Sequence, residues 1–203
     1  MDRNGARLFK LLTLGLAVGV VAVFAANAEA GLLGGVNCGS TAAVFAPWGD
    51  RSQYYFTSNG GFESGSTGWT LSGGARVVGG NEPFYLHSSQ DKSSLLLPDG
   101  AVAASPWLCF GSNTPGIRFM ATSPTGSGTV HVRVVARGLL GVLAILDGGT
   151  VQVGSSWAPT IDFGTTFSQL NSALLGANAI QVVISTRGDV QIDDLYIDPF
   201  TQY

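Results

Sequence analysis

Thr129-Val130-His131-Val132-Arg133-Val134-Val135-Ala136 sets valines at 130, 132 and 134 with His131 and Arg133 between them. Successive side chains of a strand point to opposite faces, so this period of two describes a strand with one face buried and the other wet. Ala179–Thr186 repeats it with Ile180, Val182 and Ile184, and the apolar Val183 gives that strand a central position. Gly116–Thr122, Trp69–Leu71, Arg76–Val78, Phe84–His87, Ser94–Leu97 and Trp107–Phe110 are further strand candidates. Gly73-Gly74, Gly79-Gly80 and Ser123–Gly128 mark reversals, and Asp147-Gly148-Gly149 predicts a hairpin joining Leu139–Leu146 to Thr150–Val153. Phe167, Leu170, Leu174 and Leu175 are spaced for a short helix near 166–175, capped by Thr165 or Thr166 and ended by Gly176. About ten short strands around one core predict an all-β protein, a single β-sandwich.

The N-terminus reads differently. Met1–Lys10 carries Arg3, Arg7 and Lys10, Leu11–Ala26 is apolar apart from Gly and Thr, and Ala28-Glu29-Ala30 is a small-x-small site. These are the three parts of a secretory signal peptide, cleaved before Gly31. As a helix the sixteen-residue apolar run would span about 24 Å, short of the ~30 Å hydrocarbon core. Cys38 follows Val36-Asn37, which is no lipoprotein site, and the best later apolar run, Leu139–Leu146, is too short to span a bilayer. The expectation is a secreted, extracellular protein with no membrane insertion after cleavage. Residues 1–30 are then the signal, 31–58 a lead-in and 59–203 the sandwich.

Past Ala30 there remain seven Arg or Lys against eleven Asp or Glu, hence a net charge of −4, with no basic stripe along the sequence. Nucleic acid is therefore excluded as the expected partner, since neutralising phosphates needs clustered cations. The two cysteines, Cys38 and Cys109, both lie in the exported part, where a disulfide is the expectation. It would tie the lead-in to the middle of the domain.

Signatures of catalysis are absent. The chain has no Gly-x-Ser-x-Gly elbow, His-Glu-x-x-His or Walker loop. Asp193-Asp194 are neighbours, and adjacent residues of a regular strand face opposite ways, so they make no glycosidase pair. A hydrolase would require His87 or His131 beside a Ser or a carboxylate in a cleft. No catalytic residue is assigned.

Two segments carry a resemblance: Asn59-Gly60-Gly61-Phe62-Glu63-Ser64-Gly65-Ser66-Thr67-Gly68-Trp69, and Gln191-Ile192-Asp193-Asp194-Leu195-Tyr196-Ile197-Asp198. Together they resemble the opening and closing strands of carbohydrate-binding modules of the galactose-binding-like jelly-roll type. They are also similar to small secreted bacterial proteins of unknown function with the same end motifs. The resemblance implies a jelly-roll-like sandwich whose first and last strands lie close. It implies a glycan or other cell-surface ligand and no required cofactor, and it leaves room for a structural Ca²⁺.

Read as residues, Asn59, Glu63 and Asp193 are the candidate metal ligands, with backbone carbonyls completing the six to eight oxygens that Ca²⁺ takes. The final strand has a phase problem: Val190 and Ile192 share one parity, while Leu195 and Ile197 have the other. A bulge near Asp193-Asp194, or burial of both faces, would resolve it. For a ligand platform, Phe84 and Leu86 turned inward would leave Tyr85 and His87 facing out together, and Trp107, Trp157 and Trp48 are further aromatics. Tyr85, His87 and Trp107 are the candidate ligand-binding residues. The functional expectation is a secreted non-catalytic binding module. The alternative is a structural or adhesive cell-surface protein with no small-molecule site; exposed aromatics favour the first, and four buried tryptophans would favour the second.

Overall fold

The computed structural model describes residues 38–110, 116–138, 141–164, 177 and 179–199. The signal region and the helix expected near 166–175 lie outside the described residues. Among those described, the chain forms twelve strands: β1 Tyr55–Phe56, β2 Thr70–Ser72, β3 Arg76–Gly79, β4 Ser93–Leu97, β5 Val102–Ala104, β6 Leu108–Cys109, β7 Gly116–Thr122, β8 Ser127–Gly138, β9 Gly141–Gly154, β10 Ala158–Pro159, β11 Ala179–Arg187 and β12 Val190–Asp198. They make two antiparallel sheets. The first has the order β10-β7-β12-β4-β3 with β1 also on β12, and the second β2-β5-β11-β8-β9 with β6 also on β11. The all-β sandwich is as the alternation predicts.

The core lies between the sheets. From the second sheet come Val130, Val132, Val134 and Ala136 of β8 with Ile180, Val182 and Ile184 of β11, all 1% exposed or less. From the first come Leu95, Leu97, Ile117, Phe119, Val190, Ile192, Leu195 and Ile197, joined with the others in one cluster. Truncating one such side chain, as in Ile184→Ala, costs about 2–5 kcal/mol.

Two sequence expectations need correction. Asp147-Gly148-Gly149 does not turn a hairpin. It is a bulge inside the continuous strand β9, where the β8–β9 register shifts between Val132 and Arg133. Gly149 has φ +88°, a conformation open to glycine at little cost, so the pair that looked like a turn absorbs an extra residue within the strand. Likewise Phe84–His87 is not a strand. Tyr85 has φ +52°, and the segment turns over a buried acid described below.

Both resolutions of the phase problem in β12 occur together. The β12–β7 register shifts between Asp193 and Tyr196, and Asp194 sits at φ +51°. The extra residue moves the inward parity from Val190 and Ile192 to Leu195 and Ile197, and all but Gln191 of the strand is buried. Tyr196 thereby joins Phe45, Tyr54 and Met120 in a second cluster on the outer side of the first sheet.

The first and last strands meet, with Tyr55 opposite Ile197 and Phe56 opposite Tyr196. Thr57 N–H donates to the Leu195 carbonyl at 3.1 Å, and Leu195 N–H donates to the Gly60 carbonyl at 3.2 Å. A Cβ on Gly60 would stand 2.8 Å from the Leu195 carbonyl oxygen, so this approach of the two backbones requires glycine. Cys38 and Cys109 are bonded with Cα atoms 5.4 Å apart, which pins the start of the described chain to β6.

Candidate functional site

The outer face of the first sheet is covered by two pieces of chain, and the site lies where they meet. One is the N-terminal segment around the 3-10 turn Ala46–Trp48. Phe45 is its anchor, fully buried against Tyr54 and Tyr196 with ring centroids 5.1 and 5.7 Å away. Arg118 holds it from the side, with its guanidinium 4.8 Å from the Phe45 ring and 2.6 Å from Asp50 Oδ2. The other piece is the loop between β3 and β4. Between them runs a groove of about 540 Å³ lined by Val44, Pro47, Trp48, Phe84, Tyr85 and Leu86. Trp48 and Phe84 pack edge to face at 5.0 Å. Phe84 is 49% and Tyr85 51% exposed, so the aromatic rings form the rim.

Glu82 holds this loop in shape. Its carboxylate is fully buried and accepts the backbone N–H groups of Phe84, at 2.5 Å, and Leu86, at 2.6 Å. Its own N–H donates to Asp193 Oδ2 at 3.1 Å. His87 N–H donates to Asp194 Oδ2 at 3.3 Å, and the His87 ring stacks on Phe56 at 3.7 Å while its Nδ1 meets Asp91 Oδ2 at 2.7 Å. The loop that carries the groove aromatics is thus fastened to the bulge of β12.

That bulge is acidic and dry. Glu82, Asp193 and Asp194 are each 0% exposed and Asp91 is 8% exposed. Among the described residues the only ion pair in this cluster is the His87–Asp91 contact. Burial first, and then the neighbouring Asp194, push the Asp193 carboxyl up to about 9. Burial and then Glu82 push Asp194 up to about 7. Asp194 Oδ1 is buried with no hydrogen-bond partner, and unpaired buried acceptors are rare in folded proteins. One potential ligand atom from each of His87, Asp91 and Asp194 lies within 4.8 Å of the others.

The structure therefore assembles a different set from the one read in the sequence. Asn59 is at φ +52° and braces its own turn, donating to the Gly65 and Thr67 carbonyls and accepting from Ser64 N–H. Glu63 Oε1 accepts the backbone amides of Lys92 and Ser93, both at 2.7 Å. Asp193 is in the buried cluster, accepting from Glu82 and Asp194 amides. The Asn59 turn is nonetheless adjacent, since a Cβ on Gly61 would stand 3.0 Å from Asp194 Oδ1 and 3.7 Å from Asp193 Oδ1. The bulge also brings Asp193 and Asp194 into one cluster, which the opposite-face rule for a regular strand does not allow.

Of the ligand-binding residues, Tyr85 lines the groove, while His87, 40% exposed and stacked on Phe56, lies outside the groove lining. Trp107 is elsewhere, 37% exposed near β6, with the Arg137 guanidinium 4.2 Å above its ring. Trp48 and Phe84 complete the aromatic rim. Sequence reasoning singled out neither Glu82 nor Asp91. An acid followed by Pro83 in an aromatic segment is the signal that could have marked Glu82, as a side chain able to cap the amides of the turn that follows. Neither histidine has the surroundings of a triad. His131 Nε2 meets Asp147 Oδ1 at 2.8 Å, and among the described residues no serine hydroxyl bonds either imidazole.

No protein-family model matches the chain, and no curated protein matches it. Solved structures are similar to it. The C-terminal family 22 carbohydrate binding module of Clostridium thermocellum Xyn10B is 17% identical with a TM-score of 0.45, over 73% of this chain and 96% of that one. The family 11 carbohydrate-binding module from Clostridium thermocellum, in complex with a β-1,3-1,4-mixed-linked tetrasaccharide, is 13% identical with a TM-score of 0.46, over 73% and 97%. The enzymatically active domain of a bacteriophage CBA120 tailspike protein is 14% identical with a TM-score of 0.48, over 70% of this chain but 21% of that one. The likeness is one of chain path. At these identities it says nothing about a ligand.

Proposed function

We propose that the protein is a secreted, non-catalytic module that binds a glycan in the groove between Trp48 and the Phe84–Leu86 loop. One observation carries the reading: three aromatic side chains sit at a surface groove, two of them on a loop fixed from beneath by the buried Glu82 carboxylate. Pyranose C–H faces stack on aromatic rings, and a rigid rim needs little ordering when the sugar arrives. Exposure of Phe84 and Tyr85 beside the half-buried Trp48 favours this over a purely structural or adhesive role, in which such rings would be covered. Tyr85 is a stacking ring of the platform, and His87 braces the end of the loop through Phe56 and Asp91.

The buried cluster suits a structural cation. Three carboxylates out of water, one with an unpartnered oxygen, are costly unless a positive charge joins them. Asp194, Asp91 and His87 would hold the ion, and it would supply charge balance and lock the loop. Calcium takes oxygen donors, so the His87 nitrogen widens the set to borderline ions such as Zn²⁺. A glycan array on the purified protein, with and without chelator, tests both ideas. Binding weakened in Tyr85→Ala and by chelator supports them; no binding to any glycan overturns the first, and a melting temperature indifferent to Ca²⁺ and Zn²⁺ overturns the second.

A further inference from the structure

The outer face of the second sheet carries half-buried and exposed side chains. Its outward residues follow from the register. On β8 they are Thr129, His131, Arg133, Val135 and Arg137, with Ser185 opposite His131, Val183 opposite Arg133 and Arg187 opposite Thr129 on β11. On β9, Gln152 faces Thr129 and Thr150 faces His131. A polar groove of about 530 Å³ runs over these rungs, lined by Thr129, His131, Thr150, Gln152, Ser185, Thr186 and Arg187.

Charge is distributed unevenly. Three of the seven basic residues past Ala30, Arg133, Arg137 and Arg187, lie on this face, in a part of the chain whose net charge is negative. Among the described residues none of the three has a carboxylate within ion-pair distance. One acid shares the face, Asp147, which stands opposite Arg133 in the β8–β9 register and is paired with His131. The acids beyond the end of β11 are turned onto backbone: Asp99 Oδ1 accepts Gly188 N–H and Asp189 Oδ1 accepts Asp99 N–H. The rungs of Arg187, Arg133 and Arg137 recur every four residues of β8, a spacing of about 13 Å along the strand.

We propose that this face binds a carboxylate-bearing polysaccharide, with Arg187 and Arg133 pairing its acid groups and the hydroxyl and amide groups between them taking its sugar hydroxyls. A guanidinium fork matches a planar carboxylate through two parallel hydrogen bonds. Thr129, Thr150, Ser185 and Gln152 supply both donors and acceptors, as a polyol requires. The inference rests on the glycan-binding reading for the class of polymer, but uses a surface and residues separate from the aromatic groove.

The test is retention on polygalacturonate compared with its fully methyl-esterified form, which keeps the sugar backbone and removes the charge. Wild-type protein is expected to bind the acid form at least tenfold more tightly, and to lose most of that binding as salt is raised from about 0.05 to 0.5 M. Arg133→Ala with Arg187→Ala should abolish the preference with the melting temperature unchanged. Asp147→Asn, which removes the one carboxylate of the face, should tighten binding. Equal binding to both forms, a preference untouched by the arginine substitutions, or tighter binding to a sulfated polymer such as heparin would each overturn the proposal. Phe84→Ala and Tyr85→Ala keep the two readings apart: they should leave polygalacturonate binding intact while weakening neutral-glycan binding.

Discussion

Glu82 and Asp193 are 111 residues apart in sequence and joined at 3.1 Å, the Glu82 amide donating to an Asp193 carboxylate oxygen. Through that bond, and through the Glu82 carboxylate on the amides of Phe84 and Leu86, the irregular point of the last strand sets the shape of the aromatic groove.

Glu82→Ala should therefore unfasten the loop. It leaves two backbone N–H groups without their charged acceptor, at a cost of about 1.5–3 kcal/mol each if no water replaces it. The expected outcome is a clear fall in melting temperature together with loss of groove binding. Glu82→Gln keeps one carbonyl acceptor and should fall between. Thermal melts and glycan titrations on the same samples check this; groove binding unchanged in Glu82→Ala would remove the coupling.

Adding a divalent cation at one hundred times its dissociation constant should stabilise the fold by about 2.7 kcal/mol, or roughly 5–10 °C in a domain of this size. Asp194→Asn should remove that increment. Melting curves with chelator, Ca²⁺, Zn²⁺ and Mn²⁺ measure it.

Acid should weaken the hold on the N-terminal segment around Asp50. Burial raises the Asp50 carboxyl, but hydrogen bonds from Ser52, Tyr54 and Arg118 outweigh it and lower the group to about 2. A folded value below the unfolded one gives stability that is present above about pH 4 and lost as pH falls towards 2. Asp50→Asn should flatten the stability profile in that window, at a cost near neutral pH of up to about 2 kcal/mol. Urea melts at pH 2 to 5 on both proteins check the sign.

Reducing the Cys38–Cys109 bond, which closes a loop of 71 residues, should cost up to roughly 4 kcal/mol by the chain-entropy estimate. The denaturation midpoint with and without reductant reads it directly.

The sandwich is legible in the sequence because Val130, Val132 and Val134, and Ile180, Val182 and Ile184, recur with the period of a strand. The phase break at Asp193-Asp194 is legible too, since apolar residues on both parities of one strand require a bulge or burial of both faces. What periodicity does not carry is the partner of a lone polar residue. Glu63 and Asn59 have the chemistry of metal ligands but serve backbone groups nearby. Glu82 looks like an ordinary loop acid and is the loop's central support. Asp147-Gly148-Gly149 shows the same limit, because the glycines that permit a turn also permit a bulge. Phe84–His87 satisfies alternation only on paper, since the Glu82 carboxylate captures the Phe84 and Leu86 amides and curls the segment over itself.

The most direct measurement is the affinity of the purified protein for neutral glycans before and after Phe84→Ala and Tyr85→Ala, with folding verified by melting temperature. Loss of one stacking ring is worth about 1 kcal/mol or more, so each substitution should weaken binding several-fold or further without shifting the melt. Glycan binding that survives both substitutions unchanged would place the ligand elsewhere and contradict the account.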